Sequence, residues 1–186
     1  MTDAFAELVL PIFQRMITLQ ERLALGEPAT LDEVKRQTRS WIEAAEQRAV
    51  VDVALAADFD LAKFGLVAWI DEVLTDSSWG RSVDWGSEDH VLEWDLYRTH
   101  IRAEKFYDMA TLAEERRAYD ALEVYLLAVT LGDVGLLPVG LRSPSREQPA
   151  ADVRDPQRVD EPDERGVPRR GRDGDVERAA GVVRGG

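Results

Sequence analysis

Two adjacent carboxylates, Asp71 and Glu72, stand inside the apolar stretch at residues 64–74. A helix sets neighbours ~100° apart, so the two carboxylates diverge and at least one leans toward packed surface. A desolvated carboxylate has a raised pKa unless it is paired or hydrogen-bonded. Such a pair could work as an acid–base couple or hold a metal. It could equally be structural, accepting hydrogen bonds from backbone donors in the loop at residues 77–80. The structural reading is preferred, because chemistry needs partners and few are at hand. The chain has two histidines, His90 and His100, and no cysteine. Neither histidine belongs to the Glu-x-x-His pair of di-metal bundles. His100 and Glu104 have i, i+4 spacing, which alone is weak evidence for a ligand pair. The missing cysteines exclude a disulfide framework, a thiolate zinc site and a cysteine nucleophile. No Gly-rich phosphate loop, nucleophile elbow or zinc-protease motif occurs. The residues thus predict no enzyme, no metal and no cofactor. The competing reading is an acidic helical enzyme or metal-carboxylate protein using Asp71, Glu72, His100 and Glu104.

The tryptophans carry a second kind of chemistry, that of contact. Trp69, Trp79, Trp85 and Trp94 fall within one short stretch. Large aromatics held on loops anchor partners, since they bring area at little side-chain entropy. Trp69 and Trp79 read better as fillers between helices. Trp85, between Asp84 and Gly86, reads as the candidate for an exposed anchor.

These residues need helices to position them. Residues 2–25 place Phe5, Leu8, Ile12, Met16, Leu19 and Leu23 at steps of three and four, one apolar helical face. Thr2 or Asp3 can cap its start, and Pro11 bends it or marks its true beginning. Thr30 with Glu33 forms a capping box that opens a second helix, whose stripe is Val34, Thr38, Trp41, Ala45 and Ala49. A third helix is expected over residues 61–75 and a loop over 76–87. An irregular helix or turn is expected around 90–97, with further helices over 104–115 and 117–131. Period-two alternation of β-branched residues is absent, so the fold class is all-α.

Charge and composition divide the 186-residue chain. Residues 1–137 hold 26 acids and 13 bases, which is the whole net charge of −13. Residues 138–186 hold 10 of each, with 6 of the 8 prolines, no aromatic and one leucine, Leu141. Such a segment buries too little apolar surface to offset its ordering entropy, so it is expected to be disordered. The expected domains are therefore a helical domain over 1–137 and a low-complexity tail over 138–186. The acidity argues against nucleic acid and anionic lipid as partners. It leaves a solvated surface or a docking face for a basic protein. The longest apolar runs, at residues 64–70 and 124–129, fall far short of the ~18 residues of a membrane span. The N-terminus has no basic region of a secretory signal, so a protein of a reducing compartment is expected.

The run Ala62-Lys63-Phe64-Gly65-Leu66-Val67-Ala68-Trp69-Ile70-Asp71-Glu72-Val73-Leu74, then Ser78-Trp79-Gly80 and Trp85, resembles the DotU/TssL family of bacterial type VI secretion systems. That family is related to the IcmH/DotU proteins of type IVB systems. Its signature there is "A-x-L-DE-x-x-L…S/T-P-W-G…W". Arg102-Ala103-Glu104-Lys105-Phe106-Tyr107 resembles its "G-G-E-x-F-F" block, and residues 122–132 resemble its "LE-x-x-Y-L-x-L-x-LG" block. Three blocks in order make the resemblance specific over about residues 1–132.

The resemblance implies an all-helical cytoplasmic domain of two small packed bundles. It implies a non-enzymatic scaffold or adaptor at the inner-membrane face, joined to an IcmF/TssM-like partner and to baseplate components, with a homodimer as a further possibility. Asp71, Glu72, Trp79, Gly80, Trp85, Glu104 and Phe106 are the positions that match the family pattern, as framework or contact residues. The usual proline before Trp79 is absent, and Arg102-Ala103 replaces two glycines. After Gly132 the family continues with a "G-x-Y/F-R" segment and commonly a membrane span, whereas this chain runs into a polar tail. Reverse-translated with permitted synonymous codons and read one base shifted, residues 132–139 can spell Gly-Met-Trp-Gly-Phe-Tyr-Arg, close to the expected block. Two readings follow for the tail: an out-of-frame stretch of a GC-rich gene, or a genuine disordered extension.

Overall fold

The structure is a computed structural model and describes residues 1–132. The expected tail over 138–186, and the end of the expected 1–137 domain, lie outside the described residues. Seven helices and no strand occur among those residues. They are α1 (Asp3–Ala24), α2 (Leu31–Ala49), α3 (Val53–Asp76), α4 (Ser78–Ser82), α5 (Leu92–Tyr97), α6 (Arg102–Glu115) and α7 (Tyr119–Leu131).

The organising element is α3. Every residue from Leu61 to Leu74 except Lys63 is buried. A helix apolar on all sides belongs in the middle of a fold. Here α1 and α2 pack on one side of it, and α6 and α7 on another. The two small bundles therefore share α3 and one continuous core. Phe13 meets Trp69 at a ring separation of 4.5 Å, and Phe106 meets Tyr125 edge-on at 4.8 Å. Tyr125 donates its hydroxyl to the Leu61 carbonyl at 2.7 Å. Gly65 lets that ring approach, since a Cβ there would lie 2.9 Å from Tyr125 Cε1.

Local rules account for most boundaries. The capping box at Thr30 forms, with the Thr30 N–H 2.9 Å from Glu33 Oε2. Its helix buries the expected stripe and Ile42 as well. In α1, Pro11 lies inside a continuous helix and does not mark its start. Thr2 caps α1 by position, but its side chain bonds the Asp120 carboxylate on α7 instead of an α1 amide. The α-amino group pairs with Glu123 and Asp120 of the same helix. These bonds tie the first residues of the chain to α7.

Two expectations need correction. The third helix begins at Val53, two turns before the expected Leu61, because Asp52 caps it through bonds of 2.8 and 2.9 Å to the Ala54 and Leu55 amides. The supposed loop at 76–87 contains α4. Ser77 nucleates this turn by accepting from the Gly80 amide at 2.8 Å while donating to the Leu74 carbonyl at 2.7 Å.

Candidate functional site

The carboxylates and tryptophans singled out in the sequence converge where α3 ends. Asp71 is fully buried. Its Oδ1 accepts from the Trp85 indole N–H at 3.1 Å and the Leu92 amide at 2.8 Å, and its Oδ2 accepts from the Glu93 amide at 2.8 Å. Asp71 accepts backbone donors, but they differ from those expected. They come from Trp85 and the first turn of α5, not from residues 77–80. Val91, at the N-cap position of α5, offers no side-chain cap. Asp71 supplies one from another helix. Burial pushes its carboxyl up to about 6, and Arg102 with these three donors opposes the rise.

Trp85 is completely buried, so it is not an exposed anchor. Asp84 adopts φ 55°, a left-handed turn that swings the indole inward onto Asp71. The Trp85 amide also bonds the Gly80 carbonyl at 2.8 Å. Gly80 itself has no alternative. A Cβ there would sit 1.8 Å from the Leu74 carbonyl oxygen, because α4 folds directly back over the end of α3. Trp79 is partly buried, 5.9 Å from the Trp85 ring, and donates its indole N–H to the Ala29 carbonyl at 3.2 Å. It links this corner to the entrance of α2.

Glu72 points away from Asp71, as helical spacing requires, and receives the Arg102 guanidinium at 2.9 Å. Glu93 is also buried and accepts from the Thr99 hydroxyl at 3.2 Å. Burial raises its carboxyl above the usual range, and Arg102 opposes this. Trp94 stacks on His100 at 4.5 Å. Glu72, Glu93, His100 and Arg102 help to bound a cleft of about 600 Å³ between the end of α3, the turn before α5 and the start of α6. Glu72, Glu88, Glu93 and Glu104 line it, with Arg102 and His100 as the basic side chains.

The structure therefore brings Glu72, His100 and Glu104 to one cleft, while Asp71 and Trp85 are buried and bonded to each other. It separates the others. Phe106 lies in the core against Tyr125, and Trp79 and Gly80 belong to α4, which folds back over the end of α3. His100 and Glu104 do not share a helix turn, since α6 starts at Arg102, and His100 Nε2 lies 4.0 Å from Glu88. Among the described residues no group of three or more His, Asp or Glu is arranged to hold a metal ion. No local sequence signal marks Glu93 or Thr99, and Arg102 stands out only as a replacement for glycine. Their roles depend on partners 6 to 30 residues away, as the Thr99–Glu93 and Arg102–Glu72 separations show.

Among the described residues no helix is long and apolar enough to cross a membrane. Comparison with known proteins places this geometry. The family model described as type VI secretion system protein DotU matches residues 4–140, most of the chain and all of the helices but the first residue of α1. No curated protein and no solved structure matches significantly. The three sequence blocks, the all-α fold and the matched span agree, and the chain belongs to the DotU family of type VI secretion system proteins.

Proposed function

We propose that this chain is a non-catalytic adaptor of the type VI apparatus. In this reading it works at the cytoplasmic face of the inner membrane, is held there by an IcmF/TssM-like protein, and presents its acidic cleft to a basic surface of the baseplate. Family membership supports the secretion-system context. The observation that supports the finer reading is the convergence of Glu72, Glu88, Glu93 and Glu104 on one open cleft. Acidic clefts steer and orient basic partners more than they add raw affinity. The buried carboxylates are engaged with backbone, indole, hydroxyl or guanidinium donors, as framework groups are.

Co-purification tests the proposal. The full chain should capture both the IcmF/TssM-like protein and baseplate proteins. Glu104→Lys, at the exposed rim, should lose the baseplate proteins and keep the membrane partner. Capture of neither by the unaltered chain refutes the adaptor role. Unchanged capture by the charge-reversed variant refutes the cleft as the docking surface.

A further inference from the structure

We propose that the groove between α1 and α2 is a second interaction surface, and that it takes a segment of a partner protein carrying a carboxylate on each side of an apolar side chain. The groove measures about 320 Å³ and runs between Arg15, Leu19 and Arg22 of α1 and Gln37 and Trp41 of α2. None of these residues lines the acidic cleft, which α3, the turn before α5, α5 and α6 build.

Three observations carry the inference. The first is charge. The chain has a net charge of −13, yet the charged side chains that line this groove are both cations, Arg15 and Arg22. The second is a surplus of donors without acceptors. The Arg15 guanidinium has no ion pair or hydrogen bond among the described residues. Its own helix offers no acid, since the positions three and four residues away are Pro11, Ile12, Thr18 and Leu19. Arg22 is held by Glu27 in an exposed pair, a kind of contact that contributes little and exchanges readily. Trp41 is nine-tenths buried, and its indole N–H has no acceptor among the described residues. Buried indoles ordinarily find one. This N–H is not enclosed in the core, in contrast to that of Trp69, and the groove is the opening that Trp41 lines.

The third observation is order. A cation, a buried apolar residue and a second cation follow along one face of α1 as Arg15, Leu19 and Arg22, with the buried Trp41 contributed by α2. The two arginines are seven residues apart, which is about 10 Å of helix at ~1.5 Å per residue. About four residues of extended chain span the same distance at ~3.3 Å per step. A Glu-x-x-Glu segment with an apolar residue between its acids therefore matches both cations and the apolar floor. Guanidinium groups suit this task, because their planar fork pairs with both oxygens of a carboxylate.

The experiment titrates the isotope-labelled full chain with the blocked peptide acetyl-Glu-Leu-Ala-Glu-amide at low ionic strength, followed by NMR. Acetyl-Gln-Leu-Ala-Gln-amide is the control. The Trp41 indole N–H and the Arg15 Nε–H resonances should shift together and saturably with the acidic peptide, and stay in place with the control. Arg15→Glu, a change at an exposed position, should weaken binding by at least about tenfold, the loss of one charge-assisted pair. Unmoved Trp41 and Arg15 resonances at millimolar acidic peptide overturn the proposal without need of a variant. Equal shifts with the neutral control, or unchanged affinity in Arg15→Glu, overturn it as well. This surface does not rest on the cleft, so the titration and the co-purification succeed or fail separately.

Discussion

Replacing Asp71 by asparagine tests the central joint of the fold, and the expected result depends on pH. The folded protein holds the Asp71 carboxyl at about 6 against an ordinary 3.8. Between these values the folded state keeps a proton that the unfolded state has released. Stability from this group is therefore greatest below the unfolded pKa and is lost as pH rises through the folded one. At about 1.36 kcal/mol per unit, the whole window amounts to about 3 kcal/mol. Asparagine has no such titration, but it carries a different cost. Its Oδ1 can keep the bonds from Trp85 and Leu92, while its amide nitrogen faces the Glu93 N–H, donor against donor. A buried donor left without an acceptor costs about 1–3 kcal/mol. The variant should thus be the less stable protein under acidic conditions, and the gap should close toward neutrality. Urea unfolding at about pH 5.2 and about pH 7.5 avoids the sequence pI of 4.6 and samples the upper part of the window. Over that interval the difference should move by about 1 kcal/mol in favour of asparagine. Glu93 and Asp58, whose carboxyls burial raises, and Glu33, lowered by its bonds to Thr30, titrate in both proteins and largely cancel. A gap that is constant, or that widens with pH, refutes the assignment of a desolvation penalty to Asp71.

Three other outcomes are expected. Gly80→Ala should abolish the native corner, because its Cβ would fall 1.8 Å from a backbone oxygen that cannot move without unwinding α3; thermal unfolding and near-ultraviolet dichroism would show it, and a native-like melt refutes the geometry. Trp79→Ala should cost up to about 3–5 kcal/mol as a large-to-small change at a packed aromatic; an unchanged melting temperature with lost partner capture would make Trp79 a contact residue instead. Sequencing the gene across codons 132–139 is expected to reveal a one-base displacement from the frame of close relatives, and an intact shared frame refutes the out-of-frame reading of the tail.

The sequence made the helices legible and the joint between them much less so. Thr30 with Glu33, and the stripes of α1 and α2, act over three to seven residues, and all formed as expected. The start of α3 is hard to read because Val53 and Ala54 are exposed and dilute the apolar pattern, although Asp52 is a readable cap. Trp85 misled for a different reason. Its neighbours Asp84 and Gly86 are exposed and turn-like, and only the left-handed turn at Asp84 turns the indole inward. The partners of Asp71 lie 14, 21 and 22 residues along the chain, beyond the reach of any local pattern. The same holds for Arg102 and Glu72. The family blocks name Asp71, Glu72 and Trp85, while the bonds of these residues are visible only in three dimensions.

The borrowed cap on α5 has a consequence for folding and fluctuation. A six-residue helix has no independent existence in water, since nucleation is costly and the chain gains too few bonds to offset it. With its first amides held by a carboxylate rooted in the central helix, α5 depends on α3 for its stability. Its Leu92 and Glu93 amides should then exchange with solvent only when the end of α3 opens, so this wall of the cleft belongs to the slowest-exchanging unit of the domain and not to its fraying surface.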